Sequence, residues 1–262
     1  MPRLRRSAPV ALLLLLPLLL SGCGSSAGAT GGGQRPSAPP QTVGTRLTQP
    51  VPADLLSLPL TDSTGAVRHL SDFAGKVVVI SDSMTLCQET CPIDTATLVQ
   101  TARQVDADTT AAKDVVFITL TVDPQRDTPA QLRAYQRQYG GGALPNWLLL
   151  TGKPADVHAI WKFFGVFWKK VPQDERVRNW RTGKLLTYDI QHSDELFFLD
   201  TRQRERYILD GMPTAPAGTP IPGKIKTFLS DEGRKNLHKN GVWTADQAVA
   251  GIAWLLGRPV SG

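Results

Sequence analysis

Cysteine is scarce in this chain, with three in 262 residues. One of them, Cys23, stands at the end of a leader, so the remainder carries two thiols, Cys87 and Cys91. A domain of about two hundred residues buries a sufficient core without covalent staples, so these two are not required for stability and chemistry becomes the better reading. Apolar runs are short: Val10 to Leu20, interrupted by Pro17, is too short to span a bilayer comfortably. A strong charge of one sign is lacking as well. The formal net charge is +6, and removing Arg3, Arg5 and Arg6 with the leader leaves 26 basic against 23 acidic residues. That excess is no nucleic-acid footprint. Internal repeats are absent, which excludes solenoids and propellers.

The leader has a basic head, a short apolar core and then Leu20-Ser21-Gly22-Cys23, which resembles the bacterial lipobox. Residues 1–22 are therefore expected to be a lipoprotein signal peptide, with Cys23 as the lipidated residue. Gly24 to Pro52 is rich in Gly, Ser, Pro and Thr and cannot bury enough surface to offset its ordering entropy. The expectation is a flexible tether over 23–52 and a folded domain over 53–262. The domain would face the periplasm or the cell exterior, held to the membrane by lipid, where thiols oxidise readily.

Cys87 and Cys91 follow a hydrophobic strand, Val77-Val78-Val79-Ile80, and precede a helix marked by Pro92. At such a corner the backbone N–H groups are unpaired and the helix dipole favours negative charge, so thiolates form easily. If Cys91 opens the helix, Cys87 lies over its first turn and both sulfurs can face one centre. That geometry suits a redox disulfide or a soft metal ion, and a structural disulfide is the bland alternative.

The rest of the domain reads as alternating strands and helices. Leu55 to Leu60 and Val67 to Leu70 flank a turn at Asp62-Ser63-Thr64-Gly65, which predicts an N-terminal hairpin. Ile93, Ala96, Val99, Ala102 and Val105 recur at helical spacing, and Val115 to Val122 is a second buried strand. Thr128, Pro129 and Gln131 form a helix start with a capping box. Trp147 to Leu150 is a third strand and Pro154 to Phe164 a third helix. Segments 194–200 and 206–209 read as a closing hairpin, before a last helix capped by Thr244 and Gln247. The pattern is a three-layer α/β fold.

With these residues in place, the chain resembles the thioredoxin fold: an N-terminal β-hairpin and a central mixed sheet flanked by helices. More narrowly, Cys87-x-x-x-Cys91-Pro92, Val122-Asp123-Pro124-x-Arg126-Asp127-Thr128-Pro129 and Tyr188-x-x-x-His192-Ser193 before a Leu-Phe-Phe-Leu-Asp strand resemble the Sco/SenC family. The resemblance implies an extracytoplasmic copper chaperone that assembles the copper centre of cytochrome c oxidase. Cys87, Cys91 and His192 would be its metal ligands and Cys87 and Cys91 its redox pair. The implied partners are the copper-centre subunit of the oxidase and a thioredoxin-like reductant. Soft thiolates favour Cu(I), and imidazole suits either copper oxidation state. Structural zinc would want a fourth ligand, and none stands nearby. No proline stands beside His192, where thioredoxins carry a substrate-contacting one, which favours metal over general disulfide exchange. The rival readings are a thiol–disulfide oxidoreductase and, more distantly, a thiol peroxidase.

Several features depart from the family pattern or carry less weight. Ser81-Asp82-Ser83-Met84-Thr85-Leu86 replaces an aromatic-Gly-Tyr-Thr-like approach to the first cysteine, and Gln191 stands where an acid is common. Residues 166–187 and 212–242 look long for the family. Asp123, Arg126 and Asp127 read as a turn and cap brace. Met84 reads as loop packing before weak ligation. His69, His158 and His238 read as incidental, and Lys169-Lys170 as part of a solvated basic loop. Phe167 and Trp168 could mark an exposed docking edge.

Overall fold

Three apolar strands whose side chains alternate between two buried faces organise the molecule. In the computed structural model, which describes residues 35–173, 176–218 and 220–261, these are β4 (Val77–Ser83), β5 (Val115–Thr121) and β6 (Trp147–Gly152), paired in parallel. They sit inside an eight-stranded mixed sheet ordered β1-β10-β9-β4-β5-β6-β2-β3. Here β1 is Thr45–Pro50, β2 is Leu60–Asp62, β3 is Val67–Arg68, β9 is Glu195–Leu199 and β10 is Arg204–Asp210. A separate two-stranded ribbon pairs β7 (Trp168–Pro172) with β8 (Tyr188–His192).

Strand periodicity sends Val77, Val79, Val115, Phe117 and Leu149 to one face of the sheet and Val78, Ile80, Val116, Ile118 and Leu150 to the other. The first face is covered by α2 (Cys91–Ala107), α4 (Pro129–Gln138) and α8 (Ala245–Leu256), the second by α5 (Pro154–Phe164). Shorter helices fill the connections: α1 (Ala53–Leu56), α3 (Ala111–Asp114), α6 (Gly223–Phe228) and α7 (Asp231–Asn236). The result is the thioredoxin-like three-layer arrangement, with the expected hairpin formed by β2 and β3 at one edge and the closing hairpin by β9 and β10.

The start of the ordered domain differs from the tether expected through Pro52. Thr45–Pro50 forms the edge strand β1, antiparallel to β10. Five of its six side chains are exposed, so its place is set by backbone pairing and leaves no apolar signal. Leu55 and Leu56, read as the start of an apolar hairpin segment, lie instead in the helical turn Ala53–Leu56, and the strand begins at Leu60. The expected signal peptide over 1–22, Cys23 and the first part of the expected tether lie outside the described residues. Among the described residues no helix is long and apolar enough to cross a membrane.

Two helix starts show how local sequence fixed these ends. Thr244 accepts from the Gln247 amide while Gln247 bonds back to the Thr244 amide, a full capping box on α8. Thr128 likewise accepts from the Gln131 amide. The Gln131 side chain, however, turns away from the expected box and accepts from Arg181 Nε at 2.7 Å and Asn179 Nδ2 at 3.4 Å. It braces the 166–187 segment instead.

Candidate metal centre

β4 delivers the chain to the carboxyl edge of the sheet, and α2 leaves from it. Cys91 is the first residue of α2 and Thr90 its N-cap, with Pro92 in the first turn. The Cys91 amide, free of an intrahelical partner at that position, donates to Cys87 Sγ at 3.4 Å. Both cysteines are free thiols and both are buried. From the other direction β8 ends at His192, whose Nε2 stands 3.2 Å from Cys91 Sγ. Residues separated by 101 positions thus meet at one end of the sheet.

The opposite side of the imidazole is held from below. Nδ1 lies 2.9 Å from Asp82 Oδ2 and 2.6 Å from the Ser193 carbonyl. Asp82 is itself fixed, its Oδ1 accepting from the Glu195 amide at 2.8 Å. With Nδ1 turned to these acceptors, Nε2 faces the sulfurs. Orientation of a ligating imidazole by a carboxylate is the usual outer-shell arrangement in metal sites. Sequence reading missed Asp82: it sat in the stretch registered only as a departure from the family pattern. An acid two residues after the apolar run Val77–Ile80, still within the strand, was the signal available.

The groups polarise one another. A hydrogen bond from the Cys91 thiol holds Cys87 well below the usual thiol range, against the effect of burial, and His192 adds to it. Burial pushes the Cys91 thiol well up, reinforced by Cys87. Burial disfavours the imidazolium, yet Asp82 and Cys87 outweigh it and raise His192 well above its ordinary value. Desolvation pushes Asp94 well up, Asp194 up to about 6 and Glu195 up to about 8, and proximity to Asp82 adds to each. The Cys87 thiol, the His192 ring and the buried Asp82 side chain are thus linked by hydrogen bonds at one point.

Two long segments wall the thiols. Trp180 donates from Nε1 to the Thr85 carbonyl at 2.7 Å, tying the 166–187 segment to the loop before Cys87. Ser230 donates its amide to the Gln88 carbonyl at 3.0 Å, and at Gly233 a Cβ would fall 2.0 Å from that oxygen. The 212–242 segment thus packs backbone to backbone on the cysteine loop. Between the loop and β7–β8 lies a polar cleft of about 360 Å³, with Met84, Cys87, Glu89, Asp189 and His192 in its wall.

Other residues singled out in the sequence take structural roles. Asp127 accepts from Thr85 Oγ1 at 2.5 Å and Thr121 Oγ1 at 2.6 Å, pinning the approach to Cys87 onto β5. Arg126 pairs with Asp123 and donates to the Tyr188 carbonyl at 2.5 Å. Met84 is buried, with Arg126 Nη2 4.0 Å from its sulfur. Lys169 and Lys170, read as a solvated loop, lie in β7 opposite Gln191 and Ile190. Trp168 stacks on His158 at 3.9 Å, while Phe167 is exposed.

Two sulfurs and one imidazole nitrogen are a soft donor set that suits copper. Donors about 2.0–2.3 Å from one ion lie about 3–4 Å apart, and the Cys91–His192 separation of 3.2 Å falls in that range. Among the described residues no three His, Cys, Asp or Glu side chains already form a metal cage. Cys87 stands beside the pair with its sulfur engaged by the Cys91 amide.

Residues 57–219 match the family model described as SCO1/SenC. The bovine mitochondrial SCO2 homolog is 33% identical over 116 residues, 44% of this chain and 42% of that protein. The chain therefore spans about two fifths of the length of that relative. Copper-bound ScoI from Bradyrhizobium japonicum aligns with 26% identity and a TM-score of 0.47, over 56% of this chain and 83% of that one. A crystal structure from Aquifex aeolicus VF5 aligns with 22% identity and a TM-score of 0.50, over 63% and 85% respectively. The last likeness supports the fold.

Proposed function

This chain belongs to the SCO1/SenC family, and from that premise we propose that it is a copper carrier serving assembly of the copper centre of cytochrome c oxidase, with Cys87, Cys91 and His192 as ligands. One observation carries the assignment: His192 Nε2 stands 3.2 Å from Cys91 Sγ while Asp82 holds the far side of the ring. Copper is cargo here. Cys87, whose thiol interacts with both Cys91 and His192, stands beside the pair as the third donor. Three ligands beside an open polar cleft leave the ion accessible to an incoming donor, as transfer between proteins demands. The lipid anchor at Cys23, the tether and the extracytoplasmic placement belong to the same proposal, supported by the leader pattern. The partners are the copper-centre subunit of the oxidase and a thioredoxin-like reductant.

The experiment is a copper titration of the reduced protein. Equimolar retained copper, with an intense visible thiolate-to-Cu(II) charge-transfer band, is expected. Neither retention nor band would remove the assignment.

The asymmetry of the two thiols favours a second reading. A Cys87 held low beside a buried Cys91 held high is the arrangement of an attacking and a resolving thiol. Acting as a reductant, Cys87 thiolate attacks a disulfide in the partner and releases one partner thiolate. Cys91 then attacks the mixed disulfide and releases the second, leaving Cys87–Cys91 oxidised and the partner reduced by two electrons. His192→Ala separates the readings: copper carriage is lost, whereas dithiol exchange survives.

A further inference from the structure

The opposite end of the sheet carries a second cluster of charge. The turn joining β9 to β10 places Arg202, Arg204 and Arg206 beside Asp200, and Trp254 of α8 closes one wall. Arg35, from the start of the described chain, completes a cavity of about 180 Å³. The register Val78↔Leu199 puts this turn at the start of β4, whereas the cysteines follow its end. The cluster is therefore remote from the thiols.

Four arginines and one carboxylate line the cavity, and that carboxylate is fully used. Asp200 Oδ2 accepts from Arg204 Nε at 2.9 Å, Arg204 Nη2 at 2.7 Å and Arg206 Nη1 at 3.0 Å. Its Oδ1 accepts from the backbone amides of Arg202 and Arg204. Arg206 Nε is buried with no acceptor, and its guanidinium carbon lies 5.2 Å from the Trp254 ring centroid. Among the described residues the guanidinium groups of Arg35 and Arg202 have neither a hydrogen bond nor an ion pair. Like charges gathered around a cavity, with a buried donor unsatisfied, are unfavourable unless an anion joins them.

We infer that this cavity is an oxyanion site for a phosphate group. Guanidinium forks match phosphate oxygens two at a time, which lysine does not do. Arg204 and Arg206 are pre-oriented by Asp200 and Trp254, and Arg35 and Arg202 close on the ligand from solvent. Two sources share this chemistry. Arg35 follows Cys23 by twelve positions, so a chain of that length, reaching about 40 Å when extended, would keep the cavity within range of lipid phosphates at the anchoring membrane. Free inorganic phosphate is the other source. Neither copper binding nor thiol chemistry enters the inference.

The test uses the full chain with Cys23→Ser, so that lipidation does not mask binding, in about 0.15 M salt, where distant charge is screened. Inorganic phosphate is titrated calorimetrically, and flotation is measured with phosphatidylcholine vesicles with and without phosphatidylglycerol. One saturable phosphate site is expected, weakened about tenfold for each arginine lost and about a hundredfold in Arg35→Ala/Arg202→Ala. Both residues lack partners, so the thermal midpoint should not move. Lys153→Ala/Lys162→Ala removes equal charge on another face and should bind as the parent does. Phosphatidylglycerol-dependent flotation that phosphate displaces identifies the lipid source; phosphate binding without it identifies the free anion. If the arginine variant matches the parent with both probes, or the lysine variant loses as much, the inference is overturned.

Discussion

Asp82 Oδ2 stands 2.9 Å from His192 Nδ1, joining the end of an apolar strand to a residue 110 positions later. Both side chains are almost wholly buried. The pair fixes the ring so that Nε2 meets the cysteines, and it gives the first prediction. Asp82→Asn should fold yet lower copper affinity about 10–100-fold, the usual cost of losing an outer-shell partner. The checks are a competitive copper titration and the ¹⁵N shifts of His192, which report its tautomer. An unchanged affinity with a changed tautomer would separate ring orientation from binding.

The thiols should differ in reactivity. Cys87 is held low and lines the cleft, whereas Cys91 is raised and fully buried. At pH 7 iodoacetamide should therefore modify Cys87 first, and prior loading with copper should protect both, because the metal consumes the thiolates. Mass spectrometry over a time course measures this. Equal rates in the apo protein would contradict the polarisation described here.

Gly233 gives a packing prediction. Its missing Cβ lets α7 approach the Gln88 carbonyl, next to Cys87. Gly233→Ala should cost about 1–3 kcal/mol, as overpacking does, and should weaken copper binding by displacing the loop. Gly223, with open space around its Cβ position, is the matched control, and Gly223→Ala should leave both urea midpoint and copper affinity near the parent values.

These relationships were unequally legible in the sequence. Val77 to Ile80, Val115 to Val122 and the helical spacing from Ile93 to Val105 announced themselves because burial of one or both faces demands an apolar pattern. The same holds for the cap residues Thr128 and Thr244, whose hydrogen bonds are local. β1 and the β7–β8 ribbon were not legible. Thr45–Pro50 and Trp168–Pro172 are held chiefly by backbone pairing, with mostly exposed side chains that impose no clear period. His192 was found through the family motif, whereas Asp82 was not, since its partner lies too far along the chain for any spacing rule. The 166–187 and 212–242 segments read as inserts, yet Trp180, Ser230 and Gly233 brace the cysteine loop.

Asp127 supplies a dependence on pH. Burial, with Asp123 nearby, pushes its carboxyl up to about 7, while an unfolded aspartate titrates near about 3.9. The native state thus holds the proton where the unfolded state has lost it. The stabilisation from this group is present below about pH 4 and is lost as pH rises to about 7. Asp127→Asn, which keeps an acceptor for one threonine hydroxyl and can donate to the other, should remove that contribution. The parent-minus-variant difference in urea midpoint should then fall between pH 4.5 and 7.5. A difference that stays constant across this range would show that Asp127 titrates alike in both states.

The central claim is that Cys87, Cys91 and His192 together hold copper, and X-ray absorption at the copper edge tests it most directly. The reduced protein loaded with one equivalent of Cu(I) should show a first shell of two sulfurs and one imidazole nitrogen, with the outer-shell scattering of the ring. In His192→Ala the nitrogen and ring features should vanish while the two sulfurs remain, and Cys87→Ser should lose one sulfur. A first shell in the parent protein without the imidazole, or one unchanged by His192→Ala, would contradict the account.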